Sequence, residues 1–332
     1  MEGNQTPTLE DKNYLKIAGN IHLSYFVEAA DILGIKYEMI QPSVARFEAN
    51  NKHWFIINTV TPLNNVPSKT VSLRKNLAYK VMNSAGIPVG IQKNLETAEE
   101  ALAFFNEFNE IVIKPVQNLG GKGVTVKPQN ESEVIAAFQS AYEKDNNRGK
   151  VRVLGEKFVH GLHYRLLVLE DKVIGAVHRK PASVTGDGIS SIEELINQEN
   201  ERRNASMLMG IPIDFQTTQT LDSHGFKLGT VLNKGEEITV RANANLSTGG
   251  TLEECAAKFH PYYFEIAIKA VKALGLKYGG VDLIAEDITN PETGHAINEV
   301  NYNPGLRIHY KVDKGEVVKV AVPIMEYIRA NL

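Results

Sequence analysis

Apolar positions at helical spacing open the chain. Tyr25, Phe26, Ala29, Ala30 and Leu33 recur within Ile21–Leu33, and Gly34 follows as a stop. Tyr37–Ile40 and Trp54–Val60 are short β-branched and aromatic runs that read as strands. The stretch Thr61–Lys69 holds Pro62, Asn64, Asn65 and Pro67 and reads as a linker. A helix is predicted over Leu73–Ser84, with Leu77, Val81 and Ala85 four apart and Gly86 beyond. Ile111–Val116 is an apolar strand broken by Lys114, followed by a glycine-rich turn, a strand Val124–Lys127 and a helix Glu131–Lys144. Val151–Val159 reads as a strand, and Tyr164–Leu169 with Lys172–Arg179 reads as a hairpin about Glu170–Asp171. Ile189–Arg203 and Pro261–Leu274 read as helices, the second with Pro at its start and Gly275 past its end. Glu237–Arg241, Gly280–Ala285 and Ala296–Asn301 read as strands.

Composition narrows the classes. In 332 residues, hydrophobic types make up 43% and charged types 23%, which excludes global disorder. Lys plus Arg is 36 against 39 Asp plus Glu, so no overall field attracts nucleic acid or an anionic membrane. Cys255 stands alone, so no internal disulfide forms; that fits a reducing compartment. The polar start MEGNQTPTLEDKN is no secretory signal, and no apolar run approaches the ~20 residues of a spanning helix. The expectation is a soluble, cytoplasmic globular protein.

Two groups of residues carry candidate chemistry. Glu299 and Asn301 share one face of their strand, and Asp282 interrupts the apolar Gly-Gly-Val-Asp-Leu-Ile. A buried carboxylate needs a partner. Asp282, Glu299 and Asn301 on neighbouring strands would offer the hard oxygen ligands that Mg²⁺ prefers, beside substrate phosphates. Alternatively, the two carboxylates pair with a buried Lys or Arg. The second group is the loop after Lys114, with Gly120, Gly121, Lys122 and Gly123. Its backbone could approach a polyphosphate, with the lysines neutralising charge; the alternative is a glycine hairpin with solvated lysines. It is no Walker loop, since Val116 stands five before Gly121 and Gly123 follows Lys122. Nucleophile elbows, zinc-protease helices and paired-Cys motifs are missing, and Cys255 behind Glu253 and Glu254 reads as an ordinary thiol.

With both groups in order, the chain resembles the ATP-grasp superfamily, and within it the ATP-grasp modules of cyanophycin synthetase and bifunctional glutathione synthetases. The resembling blocks are Ile113-Lys114-Pro115 with Gly121–Val124, Glu156–Gly161, Tyr164–Val168, Thr185-Gly186-Asp187-Gly188, Asn245-Leu246-Ser247-Thr248-Gly249-Gly250, Gly280-Val281-Asp282, Asn298–Asn301 and Asn303-Pro304-Gly305. They run in order from about Ser72 to the end; the first 70 residues match only in general shape.

The resemblance implies an α/β (α+β) fold. A small N-terminal α/β domain (1–70) would precede a central lid subdomain (71–150) and a C-terminal subdomain (151–332), the last two clasping ATP. It implies an ATP-dependent ligase: ATP phosphorylates a carboxylate, an amine attacks the acylphosphate, and ADP and phosphate leave. ATP and Mg²⁺ (or Mn²⁺) are the implied cofactors, amino acids or short peptides the implied substrates. Members are often oligomeric, but no sequence patch here marks such an interface. Lys75 and Lys114 would neutralise the polyphosphate, with the glycine loop closing over it. Glu156, Lys157, Phe158 and Val159 stand at the adenine hinge, and His163 where the family often has an acidic ribose ligand. Arg241 resembles the arginine that stabilises the migrating phosphoryl group, and otherwise is a strand-edge charge. Arg165, Asn245, Ser247, Thr248, Gly249, Gly250, Asn303 and Gly305 would contact substrate. Arg307 and His309 would hold a substrate carboxylate, or else are exposed loop residues. Cyanophycin synthetase carries a further ligase module and the bifunctional glutathione synthetases a preceding one, so the expectation is a stand-alone ligase. The second hypothesis is a non-catalytic nucleotide-binding module on the same fold.

Overall fold

The computed structural model describes residues 12–117, 123–146, 151–205, 209–242, 244 and 248–332. The opening unit begins with α1 (Tyr14–Ala18) and α2 (Ile21–Leu33), the latter at the limits the apolar spacing predicts. Asn20 caps α2, its Oδ1 accepting from the N–H groups of His22 and Leu23, and Gly34 ends it at φ 65°. Three antiparallel strands follow: β1 (Lys36–Gln41), β2 (Val44–Ala49) and β3 (Lys52–Ile57). β2 was not predicted, because Arg46 and Glu48 alternate with the buried Ala45 and Phe47 and leave no apolar run. Asn50 and Asn51 take positive φ and turn β2 tightly into β3.

The expected linker is helical from its second half. α3 (Val66–Leu73) starts with Pro67 in its first turn, and Arg74 separates it from α4 (Lys75–Ser84). Next come β4 (Gln92–Leu95), α5 (Ala98–Phe108), β5 (Ile111–Pro115), β6 (Thr125–Val126), α6 (Glu131–Lys144) and β7 (Val153–Lys157). The four strands form one sheet in the order β4-β7-β5-β6, backed by the apolar faces of α5 and α6. β7 belongs to this sheet, so a boundary drawn at residue 150 would separate it from its own neighbours.

The hairpin β8 (Leu162–Leu169) and β9 (Lys172–Lys180) turns at Glu170, whose φ is 50°. Then come β10 (Ser183–Thr185), α7 (Ile192–Ala205), α8 (Phe215–Ser223), β11 (Glu237–Thr239), β12 (Thr251–Glu254), α9 (Pro261–Ala273), β13 (Tyr278–Ala285), β14 (His295–Asn301), α10 (Arg307–Tyr310) and α11 (Ala321–Asn331). β10 and β11 pair with each other beside α7 and α8. The large sheet runs β12-β9-β8-β13-β14, and every ladder between named strands is antiparallel. The described fold is therefore of mixed α/β type with antiparallel sheets, as expected.

Strand alternation divides the large sheet. One face carries Tyr164, Leu166, Val281, Leu283, Ile297 and Val300 against α9, with α4 beside them. The other face has two halves. Leu167, Leu169 and Tyr278 pack into a core with α2, β2, β3 and α11. The remaining half carries charge, and it is the site described next. Two bulges set its register. In the β8–β9 ladder Leu169 opposes Lys172 but Leu167 opposes Gly175, so Ile174 is extra. In the β13–β14 ladder Asp282 opposes Glu299 but Leu283 opposes Ile297, so Asn298 is extra. Among the described residues, no helix is long and apolar enough to cross a membrane.

Candidate functional site

Antiparallel register places Asp282 directly between Arg165 on β8 and Glu299 on β14. Directly opposed residues share a face, so one strip of the sheet carries Arg179, His163, Arg165, Asp282 and Glu299. Asp282 is 8% exposed and accepts from Arg165 through Nε and Nη2, the latter at 3.1 Å, while Arg179 Nη2 lies 3.3 Å from Oδ1. Burial would raise the Asp282 carboxyl, but the two guanidinium groups outweigh it and hold it below the usual range. Of the two readings of this carboxylate, the structure contains the ion pair. Glu299 is more open, and Lys75 Nζ, at the start of α4, lies 3.8 Å from its Oε1. Among the described residues, no cluster of three or more His, Cys, Asp or Glu could hold a metal. Asp282, Glu299 and Asn301 still supply two carboxylates and an amide from adjoining positions, a donor set suited to Mg²⁺. Asn301 opposes Gly280, where a Cβ would come within 2.6 Å of Pro304 and 3.1 Å of the Arg165 stem. His163 is half-buried on the same strip, and burial followed by Arg179 keeps it below the ordinary histidine range.

A narrow cleft opens where the small sheet meets the large one. Gly90, Gln92, Glu156, Lys157 and Val159 line one side, and Ile284, Ala296, Ile297 and Asn298 the other. The bridge between Val89 and Ile297, with Ile297 N–H donating to Pro88 O at 2.8 Å, ties the two sides together. Glu156 is buried in the small sheet, and its Oε1 takes Lys114 Nζ at 2.5 Å and Gln92 Nε2. The Lys157 N–H is committed to Ile91 O at 2.9 Å. Phe158 is not part of the lining; its ring receives Lys127 Nζ at 4.1 Å from the centroid.

The other expected residues scatter. Arg241 is buried rather than a strand-edge charge, and its partners are Asp214, Gln216 and Thr217, on α8 and its cap. Gly249 takes φ 90° against Ile211, and Thr248 and Gly250 lie beside it before β12. Gly123 is described, with φ 74° against Lys144 and Pro115. Gly120, Gly121, Lys122, Asn245 and Ser247 lie outside the described residues. Asn303 Nδ2 reaches Thr59 Oγ1 at 3.4 Å, and Gly305 abuts His22 of the opening unit. Arg307 on α10 is half-buried near His22 and Tyr25; burial followed by Arg307 holds His22 below the ordinary histidine range, whereas burial pushes Tyr25 up to about 12 against the pull of Arg307. His309 is not a loop residue: it is 1% exposed over Gly175, and burial followed by Arg165 pushes it down to about 3.

Arg179 and Gln92 were not foreseen. An unbroken hairpin from Glu170–Asp171 would set His178 opposite His163; the extra Ile174 sets Arg179 there instead. Gln92 sits on a strand of mainly polar residues, QKNL, that carries no apolar signal.

Two family models match the chain. "Carbamoyl-phosphate synthase L chain, ATP binding domain" covers residues 74–181, and "RimK-like ATP-grasp domain" covers residues 228–328. Between them they contain every residue of the charged strip. A cyanophycin synthetase of Synechocystis sp. is 32% identical over 255 residues, 74% of this chain and 29% of that protein. A glutathione biosynthesis bifunctional protein GshAB of Clostridium perfringens is 33% identical over 255 residues, 74% of this chain and 32% of that protein. The chain thus spans about three-tenths of the length of these curated relatives. The crystal structure of a bifunctional glutathione synthetase from Pasteurella multocida superposes with a TM-score of 0.70 at 25% identity, over 96% of this chain and 45% of that one.

Proposed function

Because this chain carries an ATP-grasp domain, we propose that it is an ATP-dependent carboxylate–amine ligase. One observation carries the reading: Lys75, Arg165 and Arg179 converge on Asp282 and Glu299 while Lys114 and Glu156 border the nearby inter-sheet cleft. A strip of paired arginines and carboxylates, with Lys75 beside it, next to a partly apolar cleft suits a nucleoside triphosphate with its magnesium, base in the cleft and phosphates along the strip.

The reaction has two steps. A carboxylate oxygen of the first substrate bonds to the γ-phosphorus as the bond to the β-phosphate oxygen breaks, releasing ADP. An amine nitrogen of the second substrate then bonds to the acyl carbon, phosphate leaves, and the amine gives up a proton. Lys75, Lys114 and the two arginines hold developing phosphate charge. Mg²⁺ held by Asp282, Glu299 and Asn301 would add neutralisation of the polyphosphate when bound. Arg307, close to His22 of the opening unit, would take a substrate carboxylate bidentately. The domain division, with a lid in the residue 71–157 unit and the substrate end against the opening unit, belongs to the same reading. The substrates are amino acids or short peptides; the names of the relatives, cyanophycin and glutathione biosynthesis, support that class. An ATP-consuming ligase of this kind works in the cytoplasm.

The test is product identity by mass spectrometry, with purified protein, ATP, Mg²⁺ and pooled amino acids and short peptides. ADP with a new condensed mass is expected. AMP as the nucleotide product would contradict the acylphosphate route, and ATP bound but unconsumed across the panel would favour a binding module. Glu299→Gln should lower turnover at least ~100-fold without lowering Tm, the scale of losing one electrostatic contact to transferring phosphate.

A further inference from the structure

The inter-sheet cleft has an asymmetric polar wall. Gln92 Nε2 donates to Glu156 Oε1, which also receives Lys114 Nζ. A carboxylate paired with an ammonium only accepts, so the amide cannot flip: the reversed orientation would set oxygen against oxygen. Gln92 Oε1 is therefore fixed as an acceptor. It is buried, it has no hydrogen-bond partner, and Gln92 lines the cleft. Among the described residues that line this cleft, it is the one buried side-chain atom left unsatisfied. A buried orphan acceptor costs free energy until a donor arrives.

We infer that Gln92 determines base preference, accepting a hydrogen bond from the exocyclic 6-amino group of a purine seated in the cleft. The inference rests on the nucleotide-binding reading above and adds a selecting residue to it. Ile284, Ile297 and Val159 give the cleft apolar surface for a flat ring, while Gln92 Oε1 is its unpartnered acceptor. A 6-aminopurine offers a donor there. A 6-oxopurine offers a carbonyl, which meets the Gln92 acceptor and leaves both oxygens unsatisfied. The site thus takes adenine nucleotides and rejects hypoxanthine and guanine nucleotides by repulsion as well as by lost bonding.

The experiment is a nucleotide titration of the full chain with Mg²⁺ and no amino substrate, using ATP, ITP and purine riboside triphosphate, which has hydrogen at position 6. The intact protein should prefer ATP to either analogue by about tenfold or more, the scale of one buried hydrogen-bond group left unpaired. Gln92→Met keeps the length and removes the acceptor. It should lower ATP affinity about tenfold and leave purine riboside triphosphate nearly unchanged, so the amino group and Gln92 couple in the cycle. A residue that merely braces Glu156 would weaken all three ligands alike, and an unchanged ATP preference in Gln92→Met would overturn the inference. If that variant unfolds, the intact protein still decides: equal affinity for ATP and purine riboside triphosphate overturns it. Failure of the intact protein to bind any nucleotide overturns the ligase reading itself, whereas ATP binding without coupling to Gln92 overturns only this inference.

Discussion

Asp282 holds two arginines in place from a position 8% exposed. Removing its charge leaves two buried guanidinium groups without their directly paired carboxylate, with only the more distant Glu299 to offset them, so Asp282→Asn should destabilise the protein by roughly 3 kcal/mol as well as abolish turnover. Thermal melts distinguish it from Glu299→Gln, whose carboxylate is open enough to leave the fold unmoved. Gly280 lies beside this pair, and a methyl there would stand 2.6 Å from Pro304 and 3.1 Å from the Arg165 stem. Gly280→Ala should cost about 1–3 kcal/mol by overpacking and disturb Arg165, read as a lower melting point with weakened ATP binding. His309 makes a different prediction. Both its ring nitrogens are buried without partners, and it stays neutral in the folded protein down to about pH 3. Unfolded, it titrates near 6.5, so between these values the unfolded chain binds more protons and stability falls as pH drops. In His309→Phe the loss of stability between pH 7 and pH 5 should shrink by on the order of 1–2 kcal/mol, measured by urea unfolding at both pH values.

At the scale of elements, alternation made it legible that Glu299 and Asn301 share a face, and the lone carboxylate in an apolar strand singled out Asp282 as their neighbour; the register between them was not legible. Helices with a clean apolar stripe and a glycine stop, α2 and α9, were legible for the same kind of reason. The bulges were not, since an extra residue in a ladder leaves no compositional mark. Nor was the burial of Arg241, whose partners Asp214, Gln216 and Thr217 lie over twenty positions away in a segment with no apolar run to announce α8. Short polar strands such as β4 take their place from neighbours rather than from propensity. The Ile174 bulge is testable by deletion. Without that residue the ladder runs regular: Val173 still opposes Val168, Gly175 still opposes Leu167 and Arg179 still opposes His163, so the charged strip is kept. The deletion should lower the melting point through loss of the Ile174 side chain from the shared core, and should leave ATP binding in the titration described above in place.

At the scale of the molecule, the opening unit does not close its own core. Ala321, Ile324, Met325 and Ile328 of α11 are fully buried against α2, and Tyr25 stacks on Tyr310 with centroids 3.8 Å apart. Leu167 and Leu169 of the large sheet enter the same core. Residues 1–70 are thus an independent unit by sequence pattern but not by packing. Removing residues 321–332 should expose the inner face of α2 and release Tyr25, seen as loss of hydrogen-exchange protection across α2 and β1–β3 while α9 and β13 keep theirs.

That shared core has a consequence for synthesis of the chain. Translation delivers α2 and β3 first and α11 last, and at about 5–20 residues per second the interval is on the order of ten to fifty seconds. Throughout it, the side chains of Phe26, Ala30, Phe47 and Ile56 lack their final covering. The nascent opening unit therefore waits, sticky and incomplete, for the last helix to emerge. Its yield in the cell should depend on holdase chaperones more than the stability of the finished protein would suggest.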